Sequence, residues 1–134
     1  MGNIRHYILI LFIVSSAGLL AELYLLGHYE DEWQLVPVGL LLLGLLVGLI
    51  TFLTKGNSGR IALRILSPVM VISAIVGTFL HFRGNQEFEL EMYPDLSGWE
   101  LIWESLTGAT PALSPAAMFF VGALGWIYIQ IPKK

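Results

Sequence analysis

Residues 34–54 read QLVPVGLLLLGLLVGLITFLT, a run built almost wholly of Leu, Val and Gly without one charged side chain. The hydrocarbon core of a bilayer is about 30 Å thick, and a helix rising about 1.5 Å per residue needs roughly 20 apolar residues to cross it. The run meets that length and is apolar around its whole circumference, as a helix surrounded by lipid is. Three other runs share the pattern. Residues 7–27 are interrupted only by Ser15, Ser16 and Glu22, residues 61–82 carry Pro68 in their early turns, and residues 112–131 follow Pro111. Ser114-Pro115 has the form of an N-cap followed by a proline at the first helical position. Counting from there leaves a short span, so the last helix is expected to begin a turn earlier. The predicted fold class is all-α integral membrane. A single polytopic domain over residues 1–134 forms a four-transmembrane-helix bundle, with a short amphipathic interfacial helix in the outer acidic loop 83–111.

Composition agrees. Of 134 residues, 56% are hydrophobic and 13% charged, against about 25% charged in soluble domains, which excludes a soluble enzyme domain. The chain has no cysteine, so disulfides, thiol catalysis, Cys-based zinc sites and covalently attached c-type haem are excluded. A net charge of −3 with seven Lys plus Arg argues against nucleic-acid binding. The short segment 55–60 has two glycines, too few and wrongly spaced to cradle a nucleotide phosphate.

Charge also sets the expected orientation. Arg5, Lys55, Arg60, Arg64, Lys133 and Lys134 fall on one side of the four spans with no acid among them. Glu30, Asp31, Glu32, Glu87, Glu89, Glu91, Asp95, Glu100 and Glu104 fall on the other, against Arg83 alone. Basic segments stay in the cytoplasm, which places both termini inside and the acidic loops outside a plasma (inner) membrane; an even number of spans gives the same result. Residues 7–27 exceed the 7–15 residues of a signal-peptide core, so they are expected as a retained span. His6 stands where a myristoylation motif needs Ser or Thr.

The outer loop has internal pattern. Glu87-Phe88-Glu89-Leu90-Glu91-Met92 alternates polar and apolar, which in an extended chain puts three carboxylates on one face and three apolar side chains on the other. Extended backbone is not tolerated against hydrocarbon, so this stretch is expected as an irregular segment at the interface or against protein. In a helix it would instead set Glu87 and Glu91 together. Ser97-Gly98-Trp99-Glu100 has capping-box spacing, with Ser97 as N-cap and Glu100 at N3. It predicts a helix ending near Gly108, with Trp99, Ile102, Trp103 and Leu106 on one face and Glu100 and Glu104 on another. Such a helix suits the headgroup region, tethered and packed over the bundle. Trp126 and Tyr128 read as belt residues near the inner end of the last span.

Candidate sites are few. Glu22 is the one ionisable group well inside a span, where an acid is costly unless paired, protonated or facing water. His28 and His81 are expected near the outer ends of the first and third spans. If those helices are neighbours, Glu22, His28 and His81 form a plausible first shell for a transition metal, or the two histidines ligate haem b. The competing reading makes Glu22 a snorkelling acid and both histidines interfacial residues with backbone partners. Gly44 with Gly48, and Ser73 with Gly77, are small-xxx-small pairs suited to close helix packing, within the bundle or between copies. Glu87, Glu89, Glu91, Trp99, Glu100, Trp103 and Glu104 are the candidate partner-binding surface, acidic enough to dock a basic partner or to be simply solvated. No spacing singles out a catalytic carboxylate pair.

The leading expectation is a non-catalytic accessory or assembly protein in the lipid bilayer, docking another membrane protein through this loop or pairing with itself. The alternatives are a metal- or haem-binding redox protein using the Glu/His site, and a proton- or cation-coupled transporter acting as an oligomer. Inverted repeats would favour transport, and none is evident between the two helix pairs.

Overall fold

The computed structural model describes residues 2–54 and 57–132. Lys55, Gly56, Lys133 and Lys134 therefore lie outside the described residues, as do the side chains of the first three residues. The described residues form five helices: α1 (Gly2–Leu25), α2 (Glu32–Thr54), α3 (Asn57–Met92), α4 (Gly98–Thr107) and α5 (Ala116–Gln130). The all-helical expectation holds. Three helices, α1, α2 and α3, are long and apolar enough to cross a membrane, while α5 is apolar but shorter.

Four helices close a ring. α1 packs on α2, α2 on α3, α3 most extensively on α5, and α5 back on α1, whereas α4 lies against α3. Chain chemistry makes the turns. α1 ends in a Schellman motif: Gly27 takes φ 66°, His28 N–H donates to the Leu23 carbonyl at 2.9 Å and Gly27 N–H to that of Tyr24 at 3.1 Å. Asp31 then caps α2 by accepting from Gln34 N–H at 2.9 Å, and the Gln34 side chain accepts from Glu30 N–H at 2.8 Å. The pair satisfies donors that the helix start would leave orphaned.

Phe12 of α1, fully buried, is the centre of the ring. It seats in a socket of glycines: a Cβ on Gly44 or Gly48 of α2 would stand 3.3 Å from its ring, and one on Gly125 of α5 would stand 3.1 Å away. Gly44 and Gly48 thus serve packing within the bundle. Gly77 admits Pro115, whose Cβ would be 3.0 Å from an added methyl, and Ser73 on the same helix is half-buried. Close approach of this kind lets many small dispersion contacts form between the helices.

Two expected boundaries are corrected. The third helix runs past residue 82 to Met92, so Glu87–Met92 is helical and not an irregular extended segment. Glu, Leu, Met and Phe all tolerate helix, and nothing breaks the chain until Pro94. The alternation was simply too short to outweigh continuation of an existing helix. The last helix begins at Ala116, with residues 111–118 entering it through i→i+3 bonds such as Ser114 N–H to Pro111 O at 3.0 Å. Ser114 is not its N-cap; Pro115 holds that position without a side-chain cap.

Candidate functional site

The long α3 carries Glu87 and Glu91 one turn apart on one helical face, with Glu89 on the other side. Glu87 and Glu91 are exposed, Glu89 is half-buried, and Arg83 donates to Glu87 one turn on at 2.8 Å. Tyr93 N–H to Glu89 O at 2.8 Å closes the last turn before Pro94-Asp95 reverses the chain.

α4 occurs where the sequence predicts it, but its start is built differently. Ser97 is extended (φ −153°, ψ 170°) and makes no side-chain cap, so the capping box does not form. Gly98 takes φ 61°, a left-handed conformation that glycine permits without strain. The apolar stripe is exposed. Trp99 is 71% exposed and Trp103 54%. Ile102 and Leu106 are exposed beside them, as is Glu100, and Glu104 is half-buried.

What α4 buries is polar. Ser105 is fully buried, and Asn85 of α3, 3% exposed, reaches across to it. Asn85 Nδ2 donates to the carbonyls of Ser105 at 2.9 Å and Thr110 at 2.6 Å, while Oδ1 accepts from the Thr110 amide at 3.1 Å and hydroxyl at 2.6 Å. Both ends of one amide are thereby satisfied by the α4–α5 connection. Gly108 lets this happen, because a Cβ there would stand 3.0 Å from the Asn85 side chain. With Ser105 on the side that meets Asn85, the tryptophans are on the exposed side of α4. Asn85 was not legible as a site residue, since Arg83-Gly84-Asn85-Gln86 reads as loop; an uncharged amide between an apolar span and a patterned segment was the available signal.

The same end of the ring also joins α1 to α3. His28, in the turn after α1, and His81 of α3 approach to 5.9 Å between ring centroids at an interplanar angle of 47°. Both are half-buried. His81 Nδ1 lies 3.3 Å from the Pro111 carbonyl. His28 holds its proton less tightly than an ordinary histidine because burial desolvates the charged ring and His81 repels it, which Asp31 partly opposes. Glu22 is exposed on α1 and does not enter the bundle interior. Among the described residues no group of three or more His, Asp or Glu side chains is arranged to hold a metal. Two of the three expected ligands therefore meet, and Glu22 does not complete the set.

The opposite end of the ring collects arginine. Arg5 lies over the Tyr128 ring at 4.6 Å and donates to its hydroxyl at 3.1 Å. Arg60 donates through Nε to the Ile129 carbonyl at 3.1 Å and through Nη2 to those of Ile129 and Ile131, satisfying the end of α5. Tyr128 is buried rather than a belt residue, while Trp126 is exposed. Between α1 and α5 an apolar groove of about 380 Å³ is lined by Ser15, Gly18, Leu19, Ala117, Phe120 and Leu124. Comparison with protein-family models, curated proteins and solved structures finds no match to this chain.

Proposed function

We propose that the chain is a small, non-catalytic integral-membrane accessory protein that docks a membrane partner with a basic outer face. In this reading α1, α2, the first two-thirds of α3 and α5 with its preceding turn cross the bilayer, and both termini face the cytoplasm. The outward faces of the ring carry large apolar side chains, such as Leu25 at 82% and Leu53 at 75% exposure, and lipid is the solvent that covers such faces. The helix α3, of 36 residues, measures about 54 Å at 1.5 Å per residue. That exceeds the hydrocarbon core by several turns, so its acidic end stands clear of the membrane.

The observation that carries the docking reading is the clamped α4. Asn85 fixes a helix whose two tryptophans are exposed, and Glu87, Glu91 and Glu100 on α3 and α4 are exposed too. Exposed aromatic side chains on a rigid support are the usual anchors of a protein interface, and the surrounding carboxylates favour a basic counterpart. Native mass spectrometry of the protein released gently from its own membranes tests this. A stoichiometric second protein is expected, lost in Trp99→Ala/Trp103→Ala and weakened by added salt. A bare subunit, or a partner indifferent to both changes, overturns the reading.

A further inference from the structure

We propose that His28 and His81 form a two-imidazole site for a divalent transition-metal ion, zinc or copper, with water filling the remaining positions. The site joins the α1–α2 turn to α3 and does not depend on the docking reading.

Three features carry it. First, the separation fits one ion. A metal about 2.0–2.1 Å from a ligating nitrogen lies about 3.2 Å from the centroid of that ring. Two such arms cover the observed 5.9 Å between centroids with an open angle at the metal, wider than tetrahedral and short of linear. Secondly, His81 is set in the ligand form. The Pro111 carbonyl can only accept, so the Nδ1 facing it at 3.3 Å carries the proton, and Nε2 is left with its lone pair. A ligating histidine whose other nitrogen donates to a backbone carbonyl is the usual outer-shell arrangement of metal sites. Thirdly, the surroundings favour a cation: the acidic residues Glu30, Asp31 and Glu32 beside the turn raise the local concentration of cations.

The third histidine is an internal control. His6 packs against Phe52 at 4.9 Å, near the arginine end of the ring, and takes no part.

The test uses the tag-free full chain in detergent micelles at pH 7.5, titrated with Zn²⁺ by calorimetry. One ion per chain is expected. His28→Asn and His81→Asn should each weaken binding at least as much as the about 10- to 100-fold typical of losing only an outer-shell partner, and His6→Asn should leave it unchanged. Wild-type protein that binds no more Zn²⁺ than the double variant overturns the site. A second measurement needs no variant: the paramagnetic resonance spectrum of wild-type protein loaded with one Cu²⁺. Hyperfine coupling to two imidazole nitrogens is expected, and one or none overturns the proposal.

Discussion

Gly122 and Gly18 differ in a way that only their surroundings explain. A Cβ on Gly122 of α5 would stand 2.8 Å from the backbone carbonyl of Ser67 in α3, a neighbour that cannot swing aside. A Cβ on Gly18 of α1 meets nothing within 4 Å. Gly122→Ala is expected to force α3 and α5 apart and cost about 1–3 kcal/mol, as overpacking does. Gly18→Ala should be neutral or stabilising by up to about 1 kcal/mol, since alanine is the better helix former. Thermal unfolding of both variants in one detergent checks the contrast; equal midpoints would remove the close-packed α3–α5 contact from the account. Ser67 belongs to the same contact. Its hydroxyl is buried with no hydrogen-bond partner among the described residues, and it faces Gly125, where an added methyl would collide with it.

At the scale of elements, α4 is held by Asn85, and the α1–α2 turn carries His28 beside the Asp31 and Gln34 caps. Asn85→Ala removes four hydrogen bonds, one of them to the carbonyl of the buried Ser105, and losing a buried partner costs about 1–3 kcal/mol. Hydrogen exchange should rise over residues 98–110 while α1 and α2 keep their protection. Uniform loosening of all five helices would show that Asn85 acts on the whole bundle and not on α4. The turn is expected to respond to pH. His28 takes up its proton at lower pH in the fold than its ordinary value of 6.5, through burial first and then repulsion from His81, with Asp31 opposing. The unfolded chain thus binds more protons in that window, and stability present above about pH 6.5 is lost as pH falls toward the lower folded value. With chelator present, the unfolding midpoint should drop between pH 7.5 and pH 5, and the drop should shrink in His28→Asn. An identical drop in the variant would assign the effect to other groups.

For the whole molecule, the ring of four helices was largely legible in residues 34–54 and their three companion runs. Hydrophobic length is a local property, so it needs no knowledge of contacts. The charge asymmetry was legible in the same way, and the fold places Arg5 and Arg60 together against the last turn of α5. Topology follows as a prediction at this scale. The chain lacks cysteine, so single cysteines report without background. Asp95→Cys should react with an impermeant maleimide added to intact cells, and Gln130→Cys only after lysis. Labelling of both from outside would mean that α5, with 15 residues, does not cross.

The sequence by itself determined the helical class, the apolar lengths, the segregation of charge and the existence of α4, because each rests on composition or on periodicity within one segment. Tertiary structure alone decided that Phe12 fills a glycine socket, that Asn85 clamps α4 with its tryptophans outward, and that His28 meets His81 while Glu22 stays outside. Those outcomes depend on contacts between residues far apart in the chain, where one well-satisfied amide or one close approach of backbones outweighs any local pattern.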